Sequence, residues 1–191
     1  MIEIKRLCIY CGSSPKIDPL YIEVATAFGT YLAQQNIALV YGGGRIGLMG
    51  ALATGTMAAG GEVIGVIPRQ LAALEVAHKN LTTLITVDSM HERKSRMAEL
   101  SDAFTALPGG IGTIEEFFEA YTWLQLGIHH KPVSLLNTAG YFDHLIAFIR
   151  HMETTKFLKP HHHDVLIVDE EFPSLIAKLR AFDPTPLPSK I

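Results

Sequence analysis

Leu107-Pro108-Gly109-Gly110-Ile111-Gly112-Thr113-Ile114-Glu115-Glu116 gathers a turn, a glycine-rich loop and two adjacent carboxylates into ten residues. Glycine lets a backbone approach a ligand closely. The N–H groups of a helix's first turn have no internal partner and carry the positive end of the helix dipole, so a strand-to-helix turn of this build suits a phosphate. The glutamates need a separate explanation, because a carboxylate in the same pocket would repel that phosphate. Thr113 as N-cap with Glu116 at the third helical position would form a capping box, and a catalytic carboxylate is the competing reading. Both can hold, since Glu115 and Glu116 point about 100° apart on a helix.

Other stretches offer related chemistry. Gly42-Gly43-Gly44-Arg45-Ile46-Gly47-Leu48-Met49-Gly50 is a second glycine turn, and Cys11-Gly12-Ser13-Ser14 brings two hydroxyls, with Ser14, Gly43 and Gly44 as candidate ligand contacts. The Gly109-Gly110-Ile111-Gly112 loop is not a Walker loop, which needs Lys-Ser or Lys-Thr after its last glycine, and Gly42, Gly44 and Gly47 match the dinucleotide fingerprint only loosely, since they follow the second strand rather than the first. Two such turns on one edge point to a mononucleotide or sugar phosphate rather than a dinucleotide. In Ser89-Met90-His91-Glu92-Arg93-Lys94-Ser95-Arg96-Met97, Glu92 and Arg96 have the spacing of a solvated helical pair. Arg93 and Lys94 instead stand at a helix start, where the dipole disfavours cations, so a phosphate or a carboxylate should compensate them. Cys8-Ile9-Tyr10-Cys11 has redox spacing but lies in an apolar strand, unlike an exposed reactive thiol. Consecutive His161-His162-His163 cannot converge on one ion in regular structure and read as a solvated loop; His129-His130 read as a turn.

The elements that must position these residues alternate along the chain. Strands are expected at Leu7–Tyr10, Ala38–Tyr41, Val63–Ile67, Leu84–Val87, Ala103–Leu107, Val133–Leu136 and Val165–Val168. Helices are expected from Pro19 to Gln35, Gly47 to Ala59, Ser89 to Leu100, Thr113 to Leu126, Tyr141 to Met152 and Glu171 to Phe182. The small residues of the second helix suit close packing on a sheet. Uniformly apolar strands in repeated βα units predict an α/β, Rossmann-like doubly wound parallel sheet with helices on both faces. One catalytic domain should span 1–183, with 184–191 a loose tail broken by prolines.

At 191 residues, 48% hydrophobic and 18% charged, with a net charge of -3, the chain can bury a sizeable core and lacks the basic excess of a general nucleic-acid binder. The charged start Met1-Ile2-Glu3-Ile4-Lys5-Arg6 is unlike a signal peptide, and nothing approaches the roughly 20 apolar residues of a membrane span. A cytoplasmic protein acting on a small molecule, with no nucleic acid or membrane partner, is the expectation.

Several motifs together resemble one family. Pro108-Gly109-Gly110-Ile111-Gly112-Thr113-Ile114-Glu115-Glu116, Tyr41-Gly42-Gly43-Gly44 with Gly47-Leu48-Met49-Gly50, Met90-His91-Glu92-Arg93-Lys94 and Thr122-Trp123-Leu124-Gln125-Leu126-Gly127 are similar, in the same order, to the lonely-guy (LOG) family of cytokinin riboside 5′-monophosphate phosphoribohydrolases, formerly called lysine decarboxylases. The resemblance runs from Leu7 to Glu153; the histidine run lies outside it. It implies hydrolysis of the N-glycosidic bond of an adenosine-type 5′-monophosphate, without metal or cofactor. Arg93 and Glu116 would be the catalytic pair, with Glu75, Lys94, Gly109, Gly110, Gly112, Thr113, Glu115 and Thr122 lining the nucleotide site. Arg93 could orient Glu116 or bind phosphate. It implies at least a homodimer, and the aromatics Phe117, Phe118, Tyr121 and Trp123, spread widely round their helix, could face a second subunit or one core. The alternatives are a non-catalytic carrier of a nucleotide or molybdopterin-type cofactor, a pyridoxal enzyme using Lys94, and a histidine metalloenzyme.

Overall fold

The computed structural model describes residues 1–72, 77–78 and 80–184; Glu75 and nearly all of the expected tail lie outside them. Among the described residues the strands are β1 (Arg6–Tyr10), β2 (Ala38–Tyr41), β3 (Val63–Pro68), β4 (Thr83–Val87), β5 (Ala103–Ala106), β6 (Val133–Leu136) and β7 (Leu166–Asp169). They form one parallel sheet in the order β4-β3-β2-β1-β5-β6-β7. The helices are α1 (Pro19–Gln34), α2 (Gly47–Ala58), α3 (Arg69–Ala72), α4 (Met90–Leu100), α5 (Ile111–Gln125), α6 (Asp143–Thr154), α7 (Pro160–Asp164) and α8 (Phe172–Arg180).

Alternation along each strand divides the core. Leu7 and Ile9 of β1 pack with α1, α2 and α8 on one face, while Cys8 and Tyr10 pack with α4, α5 and α6 on the other. Right-handed crossovers account for this division. The chain steps outward from β1 to β2 and β3 with helices on the first face, then returns to β5 and steps the opposite way with helices on the second. β1 and β5 are therefore neighbours whose following helices diverge, and their carboxyl ends form the topological switch point where such sheets bind ligands.

Local sequence explains the element ends. α1 starts where the Asp18 carboxylate accepts the Leu20 N–H at 2.9 Å and Pro19 fills the first turn. Edge strand β4 leaves Thr83, Leu84 and Thr86 exposed, whereas central β1, β2 and β5 are buried on both sides apart from Arg6 and apolar apart from Arg6 and Thr105. Three expectations need correction. α6 starts at Asp143, because a short 3-10 turn, Thr138–Gly140, with Ala139 and Gly140 at φ 52° and 70°, precedes it. The histidine run is the short helix α7 rather than a solvated loop: Pro160 opens it and His162 is buried, its carbonyl accepting from the Tyr121 hydroxyl. The small residues of α2 serve α1 as much as the sheet. A Cβ on Gly55 would stand 2.2 Å from the Thr26 carbonyl, and one on Gly29 2.2 Å from the Leu52 carbonyl.

Gly29→Ala should therefore force the two helices apart and cost about 1–3 kcal/mol, read as a lower urea midpoint. Gly110→Ala, whose Cβ would meet nothing within 4 Å at φ -84°, should stay within about 0.5 kcal/mol of the parent. Equal losses at both positions would refute the close-packing account.

Candidate active site

The three expected loops converge at the switch point. Gly12 N–H donates to the Pro108 carbonyl at 3.0 Å, and Leu48 N–H donates to the Gly12 carbonyl at 3.0 Å. Gly47, at φ +64°, sits so close that a Cβ there would lie 2.6 Å from the Ser14 carbonyl. α5 begins two residues before its expected start, with Gly110 as N-cap and no side-chain cap. Thr113 instead packs its hydroxyl side against Gly109, where a Cβ would meet Oγ1 at 2.1 Å. The expected Thr113–Glu116 capping box does not form, because the helix already begins at Ile111, with Gly110 as its N-cap and Thr113 inside its first turn. The first bond of this helix end runs from Ile114 N–H to the Gly110 carbonyl at 3.2 Å, so the N–H groups of Ile111, Gly112 and Thr113 precede the intrahelical ladder. A Cβ on Gly110 or Gly112 would meet open space. These glycines are not needed for internal packing; they leave room for a ligand.

The box-like cap occurs at α4. Ser89 Oγ accepts the Glu92 N–H at 3.1 Å, and Glu92 Oε2 accepts the Asp88 N–H at 2.8 Å. Glu92 is thereby withdrawn from the expected pair with Arg96, which bonds Glu99 at 3.0 Å.

Arg93 and Lys94 are 6% and 8% exposed, an unusual depth for cations. Arg93 Nε donates to the Val66 carbonyl at 3.1 Å and Nη2 to the Gly42 carbonyl at 3.2 Å, while Nη1 stands 3.6 Å from Glu116 Oε1. Two guanidinium donors are taken by backbone carbonyls, and Nη1 faces Glu116 across the cleft that Arg93 also lines. Lys94 Nζ lies 2.6 Å from Glu115 Oε1 and 3.1 Å from Glu119 Oε1. Burial opposes its charge, but the two carboxylates outweigh that and raise its pKa. Both cations thus found carboxylates rather than requiring a phosphate. Burial pushes Glu116 up to about 7; Arg93 opposes the shift, while Glu115 and Glu119 add to it.

Glu116, Glu115, Arg93, Gly110, Gly112 and Thr113 line one cleft of about 250 Å³ with Cys11, Gly12, Ser13, Met49, Leu71 and Met90. Across Gly12, Ser13 and Gly110 it adjoins a more apolar cleft of about 380 Å³ that holds Ser14, Gly109, Ile17, Tyr21, Leu48 and Tyr141. Gly43 and Gly44 are buried and line neither cleft. Gly43, at φ +77°, accepts the His78 N–H at 3.0 Å, and Gly44 bridges to Ala77. Thr122 is exposed, seven residues beyond Glu115 along the same face of α5 and not in the cleft. Glu119 escaped the sequence reading, although its spacing from Glu115 signals a shared face. Tyr141 gave no signal, since its contacts are long-range. Cys8 and Cys11 are buried free thiols; burial pushes Cys8 up to about 12 and Cys11 higher still, unlike reactive thiols. Of the helical aromatics, Phe117 and Tyr121 are buried and Phe118 and Trp123 half-buried. A larger open groove of about 640 Å³ lies at the amino ends of β1, β2 and β5, lined by Lys5, Arg6, Ala38 and Asp102, away from these loops.

The raised Glu116 value has a stability consequence. The native state keeps a proton that an unfolded carboxyl near 4.5 releases, so this group's stabilising contribution is full below that pH and is lost as pH rises through about 7. Glu116→Gln removes the titration. Its melting temperature relative to the parent should rise by roughly 5 °C or more between pH 5 and pH 8, measured by circular dichroism. Parallel pH profiles would mean that Glu116 titrates as an ordinary carboxylate.

Known proteins resemble this chain in sequence and in fold. Residues 49–179 match the family model described as "Possible lysine decarboxylase". The chain is 46% identical to a probable cytokinin riboside 5′-monophosphate phosphoribohydrolase of Oryza sativa subsp. japonica, over 95% of this chain and 80% of that one. It is 44% identical to a cytokinin riboside 5′-monophosphate phosphoribohydrolase of Rhodococcoides fascians, over 93% and 90%. It is also 44% identical to one of Arabidopsis thaliana, over 95% and 80%. Among solved structures, the molybdenum cofactor carrier protein of Chlamydomonas reinhardtii superposes with TM-score 0.71 at 20% identity, over 94% of this chain and 98% of that one. The molybdenum cofactor binding protein of Rippkaea orientalis superposes with TM-score 0.71 at 19% identity, over 95% and 98%. Those two establish a shared fold. The sequence identities go further: the chain belongs to the lonely-guy family of cytokinin riboside 5′-monophosphate phosphoribohydrolases.

Proposed function

We propose that this enzyme hydrolyses the N-glycosidic bond of adenosine-type 5′-monophosphates, N6-modified cytokinin ribosides among them, releasing the free base and ribose 5-phosphate. The carrying observation is the buried Glu116 carboxyl, held 3.6 Å from Arg93 in a cleft that also contains the free N-terminus of α5. The 5′-phosphate would accept hydrogen bonds from the N–H groups of Ile111, Gly112 and Thr113. As the C1′–N bond lengthens, its electron pair leaves with the base and positive charge builds on the sugar. Ionised Glu116 stabilises that charge and takes a proton from the attacking water, whose oxygen forms the new C1′–O bond; the departing base is protonated in turn. A pKa near 7 lets Glu116 accept and return a proton at neutral pH. Arg93, pinned to the ends of β2 and β3, orients the carboxylate. Glu115 would accept from the ribose hydroxyls, and Met49, Leu71 and Met90 offer apolar walls for the base.

The reading is preferred to a pyridoxal decarboxylase because Lys94, paired with Glu115 and Glu119, is held as a cation and is a poor Schiff-base amine. It is preferred to a carrier because a carrier has no need of a buried, proton-labile carboxyl beside Arg93. We further propose one catalytic domain and a cytoplasmic enzyme working as a homodimer or higher homo-oligomer. Among the described residues no helix is long and apolar enough to cross a membrane. Exposed Thr122 and half-buried Trp123 suit a face of α5 completed by a second subunit.

Purified protein incubated with AMP, and separately with isopentenyladenosine 5′-monophosphate, should release free base by chromatography. Glu116→Gln should lower kcat by about 100-fold or more, and kcat/KM of the parent should fall on the acid side of about pH 7 as Glu116 takes up its proton. Nucleotide binding without base release in the parent would reject hydrolysis in favour of the carrier.

A further inference from the structure

The Tyr141 side chain belongs to neither the catalytic pair nor the helix end, yet it reaches the phosphate loop from across the sheet. Its origin is firmly built. At the carboxyl end of β6, Asn137 donates its N–H to the Asp169 carbonyl at 2.7 Å, its Oδ1 accepts the Phe142 N–H at 2.7 Å, and its Nδ2 donates to Asp143 at 2.8 Å. The following 3-10 turn uses positive φ at Ala139 and Gly140 to throw Tyr141 back over the switch point. There its hydroxyl donates to the Gly109 carbonyl at 2.7 Å. The ring is held edge-on by Tyr21, with centroids 5.8 Å apart, and by Phe142 at 5.0 Å.

Gly109 is the residue before the N-cap of α5. The preceding carbonyl, that of Pro108, is already taken by the Gly12 N–H, so the Tyr141 bond fixes a second successive peptide unit of the loop. A trans peptide is planar, with its C=O and N–H pointing opposite ways. Anchoring the Gly109 carbonyl therefore fixes the direction of the Gly110 N–H, away from Tyr141, at the N-cap from which α5 and its unpaired N–H groups start. Glycine at Gly109 and Gly110 otherwise leaves this unit free to rotate.

We infer that Tyr141 is a positioning residue: its hydroxyl latches the Gly109 carbonyl and thereby presets the anion-binding donors of the loop for the substrate's phosphate. The inference rests on the function proposed above in taking the bound anion to be a 5′-phosphate. Its effect should fall on phosphate binding rather than on the bond-breaking step, because Tyr141 does not line the cleft that holds Glu116 and Arg93.

Tyr141→Phe removes the hydroxyl and keeps the ring and its edge contacts. Calorimetry on the whole protein should show ribose 5-phosphate bound roughly three- to tenfold more weakly, the worth of one hydrogen bond, with adenine affinity unchanged. With a nucleoside 5′-monophosphate, KM should rise by a similar factor while kcat stays within about twofold. Unchanged ribose 5-phosphate affinity, an equal loss for adenine, or a fall in kcat at constant KM would each overturn the latch. So would a parent protein that binds no ribose 5-phosphate. If the parent binds ribose 5-phosphate but releases no base from any nucleotide, the hydrolase reading fails, and the calorimetric comparison of parent and Tyr141→Phe still decides the latch.

Discussion

A buried guanidinium has to be fully partnered, and the site is arranged around meeting that demand for Arg93. Leaving such a cation short of partners would cost several kcal/mol. Two of its donors are met by carbonyls towards the carboxyl ends of two strands, Gly42 beyond β2 and Val66 in β3. The arrangement needs glycine at Gly42, where a Cβ would collide with Nη2 at 1.9 Å. What remains of the guanidinium faces Glu116 on α5. One side chain thus ties α4 to the sheet edge and stands beside the Glu116 carboxylate.

The surrounding charges are sorted by this geometry. Two cations, Arg93 and Lys94, face three carboxylates, Glu115, Glu116 and Glu119. Lys94 takes Glu115 and Glu119 at close range, so the excess negative charge falls on the most buried member, Glu116. That group carries the raised pKa because desolvation penalises its ionised form most. Separately, the helix N-terminus of α5, which lines the same cleft, supplies positive potential there. In the proposed function, phosphate recognition and proton handling fall to neighbouring turns of one helix, which would keep the phosphate apart from the carboxylates.

The alternation of buried strands and amphipathic helices was legible because each element announces itself within a few residues. Leu7–Tyr10 and Ala38–Tyr41 are apolar throughout, and Asp18-Pro19 marks a helix start. Element ends were less legible where glycine competes with a side-chain cap. Thr113 looked like an N-cap by spacing, but the helix had already begun at Ile111; Ser89 and Glu92, with the same spacing, do cap α4. Local pattern could not rank these two, because a cap is decided by where the backbone enters the helix.

By itself the sequence determined the order of elements and the parallel sheet, since each is encoded by short-range spacing, and its contiguous motifs singled out the loops, with Arg93 and Glu116, that meet at the candidate site. Only the tertiary structure decided which partner each charged group took. Arg93 and Glu116 are 23 positions apart in the chain, and Tyr141 and Gly109 are 32 apart. Contacts of that separation exist only after the crossovers have brought α4, α5 and the carboxyl end of β6 to the same edge of the sheet. The depth that raises the Glu116 pKa is likewise a property of packed neighbours, and no residue carries it alone.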